Sequence, residues 1–189
     1  MRVLLHICCG VCASSVAEQL MRDGHTVTGF FYNPNIHPVD EYKKRLETAK
    51  KVAGELGFEL AEGPYDRENW FEAVKGKEYE PEGGARCEIC FRMRLEKTCE
   101  YFKKKGNFDL FTTTLSISPL KDALLVNRIG YEIGSDRFIT ANFKRKGGFA
   151  RAVELAKDWD LYRQHYCGCI YSKEEMLKKR VSKVKEEGS

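Results

Sequence analysis

Apolar and polar positions along the chain switch between two periods, and the switches mark its elements. Val3-Leu4-Leu5-His6-Ile7 is a continuous apolar run of strand length, the pattern of a strand buried on both faces. Apolar residues then recur at 13, 16, 17, 20 and 21, the one-sided stripe of a helix. Val27 to Tyr32 reads as a second strand and runs into the turn-rich Asn33-Pro34-Asn35-Ile36-His37-Pro38. A helix from about Val39 to Leu56, with Glu41, Lys44 and Arg45 on exposed faces, stops at Gly57, and Phe58-Glu59-Leu60 is a short third strand. Asp66 is a candidate N-cap for a helix carrying Trp70 and Phe71. Lys75 to Gly84 is polar and glycine-rich, hence a mobile loop, and a helix from about Cys87 to Lys105 follows it. Phe108 to Thr114 is the fourth strand, Pro119 opens another helix, and Arg137 to Asn142 is the fifth strand. Ala150 to Trp159 and Ser172 to about Glu186 are helical.

Strands alternating with helices predict an α/β fold, a parallel doubly wound sheet of about five strands with additional helices. The chain shows no repeat and no linker. Residues 1–189 are therefore expected to form a single domain, with a helical C-terminal extension from about residue 150. In such a sheet the carboxyl ends of the strands share one rim, where ligands bind. Cys8, Asn33, the loop after Leu60, Thr113 and Asn142 should line that rim.

Composition narrows the class. At 42% hydrophobic and 32% charged residues the chain is globular rather than disordered. No run approaches the roughly 18 apolar residues of a membrane helix, and Arg2-Val3-Leu4-Leu5 is too short for a signal-peptide core. A cytoplasmic location with no membrane partner is the expectation. The net charge of +4 permits an RNA partner without demanding one.

Eight cysteines in such a chain suit a metal or redox site better than a disulfide framework. Three fall within His6-Ile7-Cys8-Cys9-Gly10-Val11-Cys12, on a strand-loop-helix turn. Cys12 stands there beside a helix N-terminus, whose dipole should lower its pKa. Three small buried hydrophobes would be the plainer reading of Cys8, Cys9 and Cys12, but the rest of the chain supplies further thiols in pairs. Cys87-Glu88-Ile89-Cys90 opens a helix, and two thiolates at this spacing grip one metal or one cluster edge. Taken alone it could also be a thioredoxin-like redox pair. Arg86, Arg92 and Arg94 should lower the pKa values of these two thiols. In Cys167-Gly168-Cys169 the glycine lets the backbone turn close around a metal. Cys99, mid-helix with no partner spacing, reads as a packed core thiol.

Seven candidate ligands remain, and a zinc ion or a four-iron cluster uses four. The surplus implies a second thiolate-held metal or a reactive thiol pair beside a cluster, and so a catalytic metal site. The chain has no GxGxxG, GxxxxGK[ST] or HExxH motif. Cys8 to Val16 stands where nucleotide-splitting PP-loop enzymes keep a Ser-Gly-Gly-x-Asp-Ser phosphate loop, as if that site had been converted to metal. Lys144, Arg145 and Lys146, set among Phe143, Gly147, Gly148 and Phe149, are candidate RNA contacts, with a solvated basic loop as the plain alternative.

Several motifs occur in a familiar order: His6-x-Cys8-Cys9-x-x-Cys12, Tyr32-Asn33-Pro34-Asn35-Ile36-His37-Pro38, Glu41-Tyr42, Arg86-Cys87-x-x-Cys90-Phe91, Thr112 to Asp122, and Tyr162 to Ser172. Together, over roughly residues 1 to 175, they resemble the QueH-type epoxyqueuosine reductases. Gly10-Val11 replaces the Ala-Pro of many members and leaves the ligands intact. The resemblance implies a tRNA-modifying oxidoreductase that completes queuosine synthesis by reducing the epoxide of epoxyqueuosine at the anticodon wobble position. It also implies a [4Fe-4S] cluster with an adjacent iron ion, no cobalamin, and a fold related to the PP-loop (adenine nucleotide alpha-hydrolase-like) enzymes. Cys8, Cys9, Cys12, Cys87, Cys90, Cys167 and Cys169 are then the expected metal ligands. An external low-potential donor supplies electrons, and Tyr32, Asn33, Arg163 and Gln164 are candidates to orient the nucleoside. A tRNA-thiolating enzyme on the same fold would need ATP and the missing phosphate loop. A zinc-stabilised RNA-binding module would need no catalysis.

Overall fold

The apolar run at the start of the chain becomes the middle of the sheet. In the computed structural model, which describes residues 1–187, β1 (Arg2–His6) pairs in parallel with β2 (Thr26–Phe31) on one side and β4 (Leu110–Thr113) on the other. β3 (Glu59–Glu62) pairs in parallel with β2, giving the strand order β3-β2-β1-β4. Val3, Leu4, Leu5 and Ile7 are completely buried, as a two-faced central strand requires. Between the strands run α1 (Gly10–Arg22), α2 (Val39–Leu56), α3 (Arg67–Ala73) and α4 (Ala85–Lys105). After β4 come α5 (Ala123–Gly134), α6 (Gly148–Asp158) and α7 (Ile170–Glu187). The Ser15 hydroxyl donates to the Gly148 carbonyl at 2.9 Å and pins the start of α6 to α1.

The sheet has four strands, not five. Arg137 to Asn142 meets β4 through a single bridge, Phe111 with Phe138, and the hydrogen bond from Ile139 N to Phe111 O. Side chains take three further backbone groups of this segment. The Thr112 hydroxyl donates to the Ile139 carbonyl, and the Asn127 side chain bonds both the N–H and the carbonyl of Ala141. A backbone satisfied by side chains has no need of a ladder. The helix expected from Pro119 begins instead at Ala123, because the Asp122 carboxylate caps it by accepting from Leu124 N at 2.8 Å. Asp66 precedes α3 but makes no side-chain cap; its carboxylate accepts from the Tyr32 hydroxyl.

Two glycines let α5 lie against β4. A Cβ on Gly130 would stand 2.2 Å from the Phe138 ring, and one on Gly134 would stand 2.5 Å from the Phe111 ring. Those rings pack edge to face with centroids 5.3 Å apart. Gly130→Ala is therefore expected to destabilise the protein by about 1–3 kcal/mol through overpacking. Gly54→Ala, in a helix interior with open space around it, should be neutral or stabilising by about 0.5–1 kcal/mol. Denaturant midpoints of the two variants, with m-values unchanged, check both.

Candidate metal centre and substrate cavity

The carboxyl ends of β1 and β4 lie side by side, and the first thiols sit at that point. Cys9 is the N-cap of α1, its Sγ accepting from Cys12 N at 3.4 Å. Cys8 N donates to Thr114 Oγ1 at 2.9 Å, and the Thr114 hydroxyl lies 3.2 Å from Cys8 Sγ. The three Sγ atoms of Cys8, Cys9 and Cys12 all lie within 4.8 Å of one another.

His6, two residues before Cys8, is a brace. Its Nε2 lies 3.1 Å from the Tyr32 carbonyl, which can only accept, so Nε2 carries the proton and Nδ1 accepts from the Thr113 hydroxyl at 2.8 Å. Burial, with the Arg94 charge adding, lowers its pKa to about 3, so the ring stays neutral. One imidazole thus joins β1, β4 and the end of β2. Asn33 is a second brace. It donates to the Ile7 carbonyl at 2.9 Å and accepts from Arg94 at 2.6 Å.

The remaining thiols come from two segments. Cys87, in the first turn of α4, accepts from Gly83 N at 3.2 Å. Cys90, one turn on, packs with Cys169 against Trp70 and Val74. Cys169 accepts from Ser172 N, and the Ser172 hydroxyl oxygen accepts from Cys167 N at 3.0 Å. Arg45 straps this segment to α2 by donating to the carbonyls of Tyr166 and Cys167. Gly168, at φ +129°, leaves no room for a side chain: a Cβ would stand 3.1 Å from Arg45 Nη1. Gln164 reaches back to the first thiols, its Nε2 lying 3.0 Å from Cys9 Sγ.

A cavity of about 180 Å³ opens between these parts, and Cys8, Cys12, Cys167, Lys121, Arg163 and Gln164 are in its wall. Cys167 also faces a smaller recess of about 30 Å³ that Cys87 shares. It therefore stands between the trio and the second group. Cys99 is buried in the core, its Sγ near the Ile133 carbonyl.

The thiols do not titrate as the sequence suggests. Cys8, not Cys12, is the thiol held well below its ordinary range, by hydrogen bonds from Cys12 and Cys9 and by the charges of Lys121 and Arg94. Cys12 is pushed up, because its hydrogen bonds to Cys8 and Cys9 favour the protonated form. Burial raises Cys87 to about 11 and Cys169 to about 12, and raises Cys90 as well. Arg86 does act to lower Cys87, and Arg94 to lower Cys90, but burial outweighs both, and other partners hold Arg92 and Arg86. Arg92 pairs with Glu132 at 2.5 Å, and Arg86 donates to the carbonyls of Lys77, Glu78 and Glu80.

Other placements also differ from the sequence reading. Tyr32 and Asn33 are buried behind the thiols rather than in the cavity wall. Lys144 donates to the Lys121 carbonyl at 2.8 Å and so holds the loop that carries Lys121. Arg145 and Lys146 line a separate, shallow recess of about 690 Å³ with Arg22 and Arg151. Arg45 and Glu41, expected on exposed faces of α2, are buried and pair with each other at 2.7 Å. Thr114 and Lys121 escaped sequence reasoning. Lys121 sat within a recognised motif, but only the fold brings it beside Cys8, Cys12 and Cys167. Among the described residues no helix is long and apolar enough to cross a membrane.

The family model described as "Epoxyqueuosine reductase QueH" matches residues 3–175. The chain belongs to the QueH family. Proteins named epoxyqueuosine reductase QueH are similar over most of its length. That of Haemophilus influenzae is 42% identical over 175 residues, covering 90% of this chain and 71% of the relative. The Acinetobacter baylyi protein is 38% identical over 189 residues, covering 98% and 86%. The Thermotoga maritima protein is 36% identical over 192 residues, covering 98% and 97%. Among solved structures, the U34-tRNA thiolase NcsA from Methanococcus maripaludis with its [4Fe-4S] cluster is similar in fold. Its TM-score is 0.55 at 12% identity, over 97% of this chain and 66% of that one. The expected α/β class therefore holds for this QueH-family chain, and the thiolase shares its fold.

Two outcomes follow from the site. Arg94→Ala strands the Asn33 amide oxygen in the interior and should destabilise the fold by about 1–3 kcal/mol, read from denaturant melts. The second concerns pH. The Cys87 thiol titrates at about 11 in the folded chain against an ordinary 9.0, so the folded state favours its protonated form. That contribution is complete below about pH 9 and is lost as pH rises through about 11. Melting temperatures of chelator-treated protein should therefore fall across this window, less steeply in Cys87→Ala.

Proposed function

We propose that the chain reduces the epoxide of epoxyqueuosine in tRNA to the cyclopentene of queuosine. The reaction takes two electrons and two protons, and the epoxide oxygen leaves as water. In this reading the electrons come from an external low-potential donor, no cobalamin takes part, and the enzyme works in the cytoplasm with its tRNA. The observation that carries the reading is the convergence of Cys8, Cys12 and Cys167 on one cavity in a chain of this family.

The donor set fits an iron–sulfur centre. Three thiols lie within 4.8 Å of one another, and the other four, Cys167 among them, gather near the base of α4. The Trp70 indole N–H, beside Cys90 and Cys169, and the Arg94 guanidinium are buried donors directed at the Cys90 sulfur. Cys8, Cys9, Cys12, Cys87, Cys90, Cys167 and Cys169 would hold a [4Fe-4S] cluster and an adjacent iron ion. When bound, these supply single electrons and a Lewis acid for the epoxide oxygen.

The chain's own residues supply the setting. Lys121 stays charged: burial works against this but is outweighed by the neighbouring sulfurs of Cys167, Cys8 and Cys12. It brings a cation to the wall where negative charge develops. Arg163 and Gln164 face the same space and are placed to orient the extruded nucleoside. Arg145 and Lys146, exposed on the rim of the basic recess, contact tRNA phosphates, whereas Lys144 is occupied by Lys121.

Anaerobically purified protein should be brown and carry more iron than one four-iron cluster accounts for. Given a low-potential reductant, it should convert epoxyqueuosine-containing tRNA to queuosine, scored by nucleoside analysis. Zinc without acid-labile sulfide, or persistence of the epoxide, would refute the reading. Cys9→Ala, Cys87→Ala, Cys90→Ala and Cys169→Ala should each abolish conversion and lower iron content, and Cys99→Ala should do neither. Neutralising Arg145 and Lys146 should weaken tRNA binding and flatten its salt dependence by about one unit of slope per lost contact.

A further inference from the structure

Every charged residue in the wall of the thiol cavity is basic except one. Arg45, Arg94, Lys121 and Arg163 suit thiolates and phosphate, whereas Glu82 is the one carboxylate. Glu82 is half-buried, and it forms no ion pair or hydrogen bond among the described residues. It also borders the two recesses next to the cavity, each of which includes Cys167. Glu82 therefore lines the same three adjoining openings as Cys167.

The loop that presents it is held firmly. Arg86 is buried under residues 77 to 80, and its Nη1 donates to the carbonyls of Lys77, Glu78 and Glu80. Gly84 N closes a turn onto the Pro81 carbonyl, and Gly83 N bonds Cys87 Sγ at 3.2 Å. Arg86 also stacks over the Tyr171 ring at 4.8 Å and pairs with Glu175 on α7. An acid fixed at a cavity mouth among cations, with no cation of its own, is preorganised for a positively charged ligand.

Resting on the proposed function, the ligand follows from the chemistry of that substrate. The cyclopentane of epoxyqueuosine hangs from the base through a secondary amine, which is protonated at neutral pH. The amine nitrogen is attached to the ring carbon next to the epoxide. Any pose that brings the epoxide to the thiols brings an ammonium into the same cavity, where four basic residues oppose it. We propose that Glu82 is a specificity-determining residue that binds this ammonium and so distinguishes epoxyqueuosine tRNA from tRNA with an unmodified wobble guanine.

Substrate and product both carry the amine, so this contact is uniform binding and should appear in KM rather than kcat. The test uses full-length, iron-replete protein with epoxyqueuosine-containing tRNA. Glu82→Gln should raise KM about tenfold with kcat within about twofold, as expected for loss of one charge-assisted contact. Glu82→Asp should recover part of the loss. Iron content should match wild type, and affinity for the tRNA with unmodified guanine should not change. An unchanged KM in Glu82→Gln overturns the proposal. So does a fall in kcat alone, which would indicate proton transfer, or a loss of iron, which would indicate a metal-holding role. Equal weakening of both tRNAs, which would indicate a general surface effect, overturns it as well. Wild-type protein that leaves the epoxide intact overturns the parent reading and this one with it, whereas the variant comparison overturns this one alone.

Discussion

A guanidinium sealed inside the protein sets the terms for everything around it. Arg94 is only 2% exposed, and a charge taken out of water is tolerated only where other groups answer it. Here one answer is Asn33, which passes the connection on to the Ile7 carbonyl at the end of the central strand. The other answer is sulfur: Arg94 acts on Cys8 from one group of thiols and on Cys90 from the other. This charge helps to hold the Cys8 thiol low, and at Cys90 it works against the effect of burial, so one cation bears on both groups. The same residue therefore ties α4 to the sheet and makes the anionic centre tolerable.

The sheet contributes a platform rather than chemistry. Its strands are parallel, so β1, β2 and β4 end on the same side, and His6 links those three ends through two hydrogen bonds. That bond pattern fixes the turn from which Cys8, Cys9 and Cys12 project. The later segments are then brought to it by polar straps: Arg45 to the Tyr166 and Cys167 carbonyls, Gln164 to Cys9, and Lys144 to the loop of Lys121.

Local patterning made part of this legible in the sequence. The two-faced apolar run of β1, the stripe of α1 and the glycine stop of α2 at Gly57 all fall where period and capping put them. Misreadings arose where a side chain substituted for backbone. Thr112 and Asn127 absorbed the polar groups of a strand-like segment, and the Asp122 cap displaced a helix start expected at Pro119. The thiol acidities were misassigned for a different reason. A helix dipole can be read from neighbouring residues, but the mutual hydrogen bonds of three thiols and the burial of the others are properties of the assembled interior. Lys121 and Arg45 illustrate the same limit, since no spacing in the chain places them beside Cys8 and Cys9.

Gln164 and Cys9 are 155 residues apart in the chain and 3.0 Å apart in space. Loop-closure entropy grows only slowly with length, so this contact costs the folded state little more than a short loop would. Its consequence is one of timing. The thiol trio lies on the first strand and helix, but Cys9 waits for its Gln164 partner until far more of the chain has been made. The turn that is encoded first is therefore among the last to be completed, and the order of residues along the gene acts as a clock for it.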